Sequence, residues 1–279
     1  MLNLFEVSKM TNELANFIKQ NIGLINESEF DKLYRKAQND GVKLADLTKM
    51  LLESDVEFLS SLTKIPEKCF AGIKQLNQLT IPDSVQSIGD FAFTDCTSLK
   101  QIDLSSNLLD VGYNAFSACG MNSIKIPKSL EEIGCGAFAN CANLTSLTFE
   151  EGSACKVIDD SAFEYCGKLK TVCLPESLEI LRKYVFANCE SLEDVTIGSN
   201  VKAIYSTTFY GCVKLTNITI LGSPAAFYGP VFETSPQLKT ININISKNEF
   251  IFRWGSDNWY QNLKKRNNIT ICCVDGTVQ

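Results

Sequence analysis

The feature that most constrains this chain is a phenylalanine that recurs at nearly constant spacing. Eight phenylalanines follow one another at intervals of 22 to 25 residues, namely Phe70, Phe93, Phe116, Phe138, Phe163, Phe186, Phe209 and Phe232. A unit of this length cannot bury an apolar face by itself, so the units must stack on one another. The repeat therefore predicts a solenoid in which each unit forms one coil and each phenylalanine is buried.

Every unit has the same internal order around its phenylalanine. In six units a cysteine follows the phenylalanine by three residues, namely Cys96, Cys119, Cys141, Cys166, Cys189 and Cys212. Five of these units have a leucine three residues later, followed by an alternating segment such as residues 101–104. Alternation of polar and apolar residues predicts one short strand per unit. The rest of the unit is predicted to be a turn and a short extended or helical return.

The unit resembles the leucine-rich repeat family, and specifically its BspA-like (Treponema-type) subclass. The hallmark IPxSVxxIGxxAFxxCxxLxxIxI is matched nearly in full by Ile81 to Leu104, and the resemblance covers about residues 62–243. It implies an α/β leucine-rich repeat solenoid of about eight repeats, with a parallel β-sheet on one face and vertical ladders of Phe, Leu, Ile and Cys. Local departures at Cys119, between Glu150 and Lys156 and over 222–230 are expected to be loop adjustments.

Three regions follow from this pattern: residues 1–61, 62–243 and 244–279. The first has helical spacing of apolar residues, as at Leu14, Phe17 and Ile18, and is predicted to be an N-terminal helical region that either caps the solenoid or docks a partner. The third contains both tryptophans of the chain. By the same resemblance it is a C-terminal aromatic cap, and its alternative role is a binding hot spot.

Composition and motifs argue against several classes of function. The chain has no histidine, which removes imidazole bases and ligands, and its 26 basic against 32 acidic residues do not favour nucleic-acid binding. We find no nucleophile elbow, phosphate-binding loop or dinucleotide fingerprint, and the cysteines include no CxxC pair. No apolar run reaches the roughly 18 residues of a membrane-spanning helix. The prediction is a non-enzyme with no cofactor, no metal and no membrane insertion, whose ladder cysteines are buried, unpaired core residues.

Two surfaces are candidates for binding. Aromatic side chains dominate protein interfaces, and the aromatic candidates are Trp254, Trp259, Tyr260, Tyr165, Tyr184, Tyr205 and Tyr210. The alternative is the outward face of the predicted sheet, which is polar, rich in threonine and without aromatic residues. Its candidates are Gln101, Asp103, Lys125, Thr148, Thr171, Asp194 and Thr196.

The predicted function is recognition of a macromolecule. We expect a rigid leucine-rich repeat scaffold that binds or inhibits a protein partner, and the alternative is a surface or secreted adhesin for host matrix protein or glycan. A cytoplasmic location is expected, since the first residues lack an export signal. A cell-surface or secreted location is the alternative if a signal sequence has been removed. The sequence specifies neither the partner's identity nor an oligomeric state.

Overall fold

The computed structural model is a parallel β-solenoid of about eight coils with little helix. The residues it describes are 63–74, 76–205, 207–224, 226–229, 231–232, 235–266 and 269–278. The predicted N-terminal helical region lies outside the described residues. Within them, each coil stacks on the coil that precedes it in sequence, as the repeat predicts.

The alternating segment of each unit forms a strand. These strands are β2 (Gln78–Thr80), β4 (Gln101–Asp103), β6 (Ser123–Ile126), β8 (Ser146–Phe149), β10 (Thr171–Cys173), β12 (Asp194–Ile197), β14 (Asn217–Ile220) and β16 (Thr240–Ile243). They pair in parallel as β2 with β4, β6 with β8, and β10 through β16. The register places equivalent residues of successive units side by side, as in the pairing of Val172 with Val195. Apolar residues therefore point into the core and polar residues point outward, as expected from a period of two.

Each coil also contains a second, shorter strand, so the prediction of one strand per unit and of a sheet on one face only is wrong. The second set is β1 (Lys64–Ile65), β3 (Ser87–Ile88), β5 (Asp110–Val111), β7 (Glu132–Ile133), β9 (Val157–Ile158), β11 (Ile180–Leu181), β13 (Ala203–Tyr205) and β15 (Ala226–Tyr228). These eight strands form one parallel sheet. A strand of two or three residues is too short for alternation to be visible in the sequence, which explains the omission.

The repeated phenylalanines form a continuous stack of rings inside the coils. All eight are 0–1% exposed, which confirms their predicted burial. Neighbouring rings lie within 15° of parallel, and their centroids are 4.8 Å apart at Phe70–Phe93 and 6.4 Å apart at Phe209–Phe232. The segment that carries each phenylalanine consists of consecutive tight turns, and it contains no helix in the described coils.

The ladder cysteines link each coil to the preceding one. The thiol of Cys96 donates a hydrogen bond to the carbonyl oxygen of Phe70, with a Sγ–O distance of 3.0 Å. The other five ladder thiols make the same bond to the preceding phenylalanine, at 3.1 to 3.4 Å. All six side chains are buried, as predicted. A thiol is therefore both a small apolar core group and a weak donor at this position.

The C-terminal region adds two helices and a hairpin to the last coil. Helix α1 (Lys247–Trp254) and helix α2 (Asn258–Lys264) precede β17 (Thr270–Cys273) and β18 (Gly276–Val278). Strand β17 continues the sheet in parallel with β16, and β18 turns back antiparallel to β17. The side chain of Ser246 caps α1 by accepting a hydrogen bond from the N–H of Glu249.

No ladder thiol donates to the phenylalanine carbonyl of the last coil, and an arginine is the donor there. Arg266 donates to the carbonyl oxygen of Phe232 at 3.2 Å and to that of Ser235 at 2.7 Å. In the interior coils the equivalent phenylalanine carbonyl accepts from the next cysteine thiol. The Phe232 carbonyl also accepts from the N–H of Ser235 at 3.2 Å, so the guanidinium group supplies the second donor that a ladder thiol supplies in other coils.

Candidate binding surface

The turns that carry the phenylalanine stack display aromatic side chains on the outside of the solenoid. Tyr113, Tyr165, Tyr184, Tyr210 and Tyr228 are all 42–52% exposed. All five lie within four residues of a stacked phenylalanine. These turns are the aromatic part of the described surface.

The backbone of these turns is left-handed at two positions, two residues before and two residues after each stacked phenylalanine from Phe70 to Phe209. Tyr184, two before Phe186, has φ 57°, and Tyr165, two after Phe163, has φ 60°. Several other coils use asparagine or glycine at these positions, which tolerate this conformation at lower cost. The turn itself does not require tyrosine, so the two aromatic residues are retained despite a conformational cost.

Backbone hydrogen bonds link three tyrosines of three consecutive coils to the adjacent residues Ala187 and Asn188. The N–H of Tyr165 donates to the carbonyl of Ala187 at 2.8 Å, and the N–H of Ala187 donates to the carbonyl of Tyr184 at 2.9 Å. The N–H of Asn188 donates to the carbonyl of Tyr210 at 2.6 Å. Ala187 is fully buried beneath its neighbours. We call Tyr165, Tyr184 and Tyr210 the tyrosine cluster.

Polar side chains border the tyrosine cluster. Glu164, Ala187 and Tyr210 each follow a stacked phenylalanine directly, so they occupy one column across three coils. The carboxylate of Glu164 forms no ion pair within the described part of the chain, and Asn188 stands beside it in the next coil. A Cβ atom on Gly211 would come within 2.4 Å of the Asn188 Oδ1 atom, and Gly211 has φ 71°, so a larger residue there would be strained and would displace the Asn188 side chain. Sequence reasoning missed Glu164 and Asn188, although their fixed offset from the phenylalanines is visible in the sequence.

Three carboxylates lie near the Cys135 thiol beside the tyrosine cluster. Burial raises the pKa of this thiol, and the charges of Asp159, Asp160 and Glu164 raise it further. Arg182 forms an ion pair with Asp159 at 3.0 Å, and Asp160 accepts a hydrogen bond from the N–H of Lys183 at 2.9 Å. Of the three carboxylates, that of Glu164 forms no ion pair within the described residues.

The remaining candidate aromatics of the turns form separate pairs. Tyr205 stacks on Tyr228 with ring centroids 4.9 Å apart, and Phe91 meets Tyr113 edge-on at 5.1 Å. The structure thus brings Tyr165, Tyr184 and Tyr210 together and places Tyr205 in a different pair. A continuous row of tyrosines along the solenoid is not formed.

On the alternative surface, the outward face of the sheet, several side chains form hydrogen bonds and ion pairs with side chains of neighbouring coils. Among its candidates, Gln101, Asp103, Lys125, Thr148, Thr171 and Asp194 are exposed and Thr196 is half-buried. Asp103 accepts a bond from Thr80 at 3.3 Å, and Asp194 accepts one from Asn217 at 2.6 Å. The Lys125 ammonium lies 2.6 Å from Glu150, and this bond lowers the pKa of the Glu150 carboxyl. Much of this face is a ladder of hydrogen bonds between coils.

The aromatic candidates of the C-terminal region lie in the core. Trp254, Trp259 and Tyr260 are 2–4% exposed. The rings of Trp259 and Phe227 have centroids 4.5 Å apart, and Trp254 meets Phe227 edge-on at 5.1 Å. These rings are covered by the chain itself, so a partner would reach them only after rearrangement. Their role in binding stays a prediction.

Other kinds of site were sought in the described residues. They include no group of three or more Cys, Asp or Glu side chains that could hold a metal ion. Neither α1 nor α2 has the length and apolar content that a bilayer-spanning helix needs. The twelve cysteines, all of which lie in the described ranges, are free thiols.

Comparison with protein families identifies the repeat. The family model described as a BspA type leucine rich repeat region, of six copies, matches residues 63–172 and 133–262. A search of curated proteins found no match. The two overlapping matches together span most of the chain.

Solved structures of bacterial leucine-rich repeat proteins are also similar. One from Bacteroides ovatus is 27% identical with a TM-score of 0.44, and the match covers 65% of this chain and 59% of that protein. The T. pallidum leucine rich repeat protein is 23% identical with a TM-score of 0.43, covering 74% of this chain and 77% of that one. A leucine rich cell surface protein from Faecalibacterium prausnitzii is 21% identical with a TM-score of 0.33, covering 69% and 72%.

Proposed function

The chain belongs to the BspA-type leucine-rich repeat family, and we propose that it is a non-enzymatic recognition protein that binds or inhibits a protein partner through the tyrosine cluster. Repeat proteins of the leucine-rich type are general protein-interaction scaffolds and are generally not enzymes. The observation that carries the proposal is that Tyr165, Tyr184 and Tyr210 are all about half exposed and are linked by backbone hydrogen bonds to the adjacent residues Ala187 and Asn188.

Energetic reasons support the tyrosine cluster over the sheet face. Tyrosine is enriched among the interface residues whose truncation costs 2 kcal/mol or more, whereas threonine and serine are under-represented. The cluster stands on a stack of parallel strands and rings, so little conformational entropy is lost when a partner orders it. The hydrogen bonds between coils on the sheet face would have to be replaced by equally good bonds to a partner.

Capture of partners with matched variants tests this proposal. The full chain is immobilised and exposed to a lysate of cells that express it, and bound proteins are quantified by mass spectrometry. We expect a protein that the wild type captures to be lost with the double variant Tyr165→Ser, Tyr184→Ser. It should be retained with Tyr113→Ser, a control outside the cluster, and with Thr148→Lys on the sheet face. Loss with Thr148→Lys and retention with the double variant would contradict the proposal.

The two flanking regions are proposed to close the solenoid. Residues 244–279 would form the aromatic C-terminal cap, which is supported by the contacts of Trp259 with Phe227 and of Arg266 with the last coil. Residues 1–61 would be the helical cap or a docking module for a partner, on the basis of their apolar periodicity. A chain that starts at residue 62 separates these two roles. Loss of stability indicates a cap, and an unchanged melting temperature with loss of the captured partner indicates a docking module.

A reducing, cytoplasmic location is proposed, and the free thiols support it. Titration in denaturant without reductant should count close to twelve thiols, since a reducing compartment keeps them unpaired. A count near zero would contradict this location and would favour the alternative of an adhesin at the cell surface.

A further inference from the structure

We propose that the tyrosine cluster, together with the carboxylate of Glu164, receives a cationic side chain, arginine or lysine, from the protein partner. This inference rests on the proposed function and names the chemistry that the cluster recognises. It commits to one kind of occupant, a positively charged side chain on a protein, and its argument depends on the rings, on the charge beside them and on a related contact elsewhere in the chain.

The rings of the cluster are available to a cation. Tyr165, Tyr184 and Tyr210 are about half exposed, and in the described structure none of them stacks on another aromatic ring. A cation is attracted to the face of a tyrosine ring when it lies within about 6 Å of the ring centroid. Backbone hydrogen bonds to Ala187 and Asn188 place the three residues at neighbouring positions of three consecutive coils.

The charge beside the rings is complementary to a cation. Glu164 lies one coil from Ala187 in the same column and forms no ion pair within the described residues. Asp160 adds a second carboxylate on the same coil, and both act on the Cys135 thiol. Two cations lie nearby. Arg182 forms an ion pair with Asp159. Lys183 lies on the other side of Tyr184 from Ala187, because Ala187 follows Tyr184 across the turn. A partner's cation placed over Ala187 would therefore meet Glu164 and not a basic neighbour of the same column.

The first coils contain a related contact within the chain itself. The Nζ atom of Lys68 lies 5.5 Å from the ring centroid of Phe91, and the same ammonium pairs with Glu67. Lys68 and Phe91 stand two residues before their stacked phenylalanines, which is the position of Tyr184 in its coil. The turn surface thus holds a cation against an aromatic ring and a carboxylate at one end. The tyrosine cluster also has exposed rings and a carboxylate, although Glu164 follows its phenylalanine whereas Glu67 precedes its own.

Titration of a labelled chain with two nearly identical small molecules tests the proposal. The full chain carries ¹³C in its tyrosine rings, and the ring signals are assigned with single Tyr→Phe variants. The probes are N-acetyl-arginine methylamide and its citrulline analogue, which has nearly the same shape but no charge. We expect saturable shifts of Tyr165, Tyr184 and Tyr210 with the arginine probe, and binding at least about fivefold weaker with citrulline, the effect of one ring–cation contact.

Two variants refine the test. Glu164→Gln keeps the size of the side chain and removes its charge, so the arginine probe should bind severalfold more weakly. Tyr113→Ser lies outside the cluster and should leave the shifts unchanged. An unperturbed ring signal of Tyr260, which is buried in the C-terminal region, shows that each variant is folded. Equal affinity for the two probes, or no saturable shift of any cluster tyrosine, would overturn the proposal.

The outcome is distinct from that of the proposed function. If the double tyrosine variant loses the captured protein but the labelled chain does not distinguish arginine from citrulline, the cluster binds proteins by another chemistry and only this inference fails. If the captured protein survives the double variant, the proposed function fails, whatever the small molecules do.

Discussion

At the scale of single residues, the fold depends on side chains that lie entirely between two neighbouring coils. Each stacked phenylalanine contacts the ring above and the ring below it, and each ladder thiol donates to the carbonyl of the preceding phenylalanine. A substitution at either position therefore affects two interfaces at once. Residues on the outside of the same coils lack this double contact, which provides matched controls.

Phe138→Ala should destabilise the chain by about 3–5 kcal/mol, the usual range for a buried phenylalanine. The ring is fully buried, with neighbours at 5.2 Å on both sides. Phe252→Ala is the matched control, because the Phe252 ring on α1 is 90% exposed, and it should change the free energy of unfolding by less than about 0.5 kcal/mol. Urea denaturation measures both, and equal effects would contradict the role of the ring stack.

Alkaline pH should destabilise the fold through its buried thiols. Burial raises the pKa of Cys69, Cys141, Cys155 and Cys212 from 9.0 to about 12. Because the unfolded state loses these protons first, the stability is fully present below pH 9 and is lost as the pH rises from 9 to 12. Each thiol contributes a slope of about 1.4 kcal/mol per pH unit in that window.

Urea midpoints measured under reductant between pH 8 and 11 test this dependence. Cys212→Ala should make the free energy of unfolding fall less steeply with pH, by the contribution of one thiol. Cys173→Ala removes an exposed thiol and should leave the slope of the wild type unchanged. The same slope in all three proteins would show that other groups cause the alkaline loss.

At the scale of elements, the regular ladders meet their end at the last coil. Ser235 occupies the register of the ladder cysteines there, but its buried hydroxyl has no hydrogen-bond partner. The ring spacing between this coil and the one before it is also the widest of the stack, 6.4 Å at Phe209–Phe232. The shorter hydroxyl does not span the gap that a thiol spans in the other coils.

Ser235→Cys should therefore stabilise the last coil by about 0.5–1.5 kcal/mol, the contribution of one added hydrogen bond. The new thiol would donate to the carbonyl of Phe209, as its counterparts do in the interior coils. Ser235→Ala is the control, since it removes the unsatisfied hydroxyl and adds no donor. The melting temperature of the cysteine variant should exceed that of the alanine variant, and the reverse order would refute the ladder geometry at this end.

Arg266→Met should cost about 2 kcal/mol, because two carbonyl groups would lose a charged donor. Both acceptors, on Phe232 and Ser235, lie in the last coil. The neighbouring Lys265 is exposed, so Lys265→Met should have little effect on the free energy of unfolding. If Arg266→Met and Lys265→Met lower the free energy of unfolding by similar amounts, the effect is due to the change in net charge and not to the two hydrogen bonds.

At the scale of the whole molecule, the solenoid is close to a one-dimensional array, in which each coil contacts only its neighbours. Stability in such an array is the sum of coil and interface contributions, and the end coils open most easily. Amides of β9 and β11 in the middle should therefore exchange with solvent more slowly than those of β15 near the end. In Arg266→Met, hydrogen exchange should accelerate at β15 and change little at β9. Uniform acceleration along the chain would indicate one cooperative unit.

Function at this scale depends on which face of the array a partner reaches. The sheet face and the turn face run along the same coils, but the first uses its side chains to connect neighbouring coils and the second exposes tyrosines whose rings are partly free. A rigid array also holds the backbones of Tyr165, Tyr184 and Tyr210 in place without a partner, because they are hydrogen-bonded to Ala187 and Asn188. Recognition then needs little reorganisation.

Much of the candidate site was within reach of sequence reasoning at the level of residue type. The tyrosines near the phenylalanine turns stood out because they are aromatic and share a register, whereas Glu164 is one acidic residue among 32. Tyr205 and Tyr184 looked equivalent in the sequence, yet the first stacks on Tyr228 and the second contacts Ala187. That difference depends on left-handed turns, which follow from backbone geometry and have no periodic signature.

The sequence by itself determined the coil, its stacking and its core, because a period near 23 residues leaves no other way to bury Phe138 and its equivalents. Only the tertiary structure decided the second sheet of two- and three-residue strands, the donation from thiol to carbonyl, and the replacement of a thiol by Arg266. Each of these depends on contacts between residues that are 22 or more positions apart. Such contacts exist only once the coils are stacked, and the same holds for the backbone hydrogen bonds that link three tyrosines to Ala187 and Asn188.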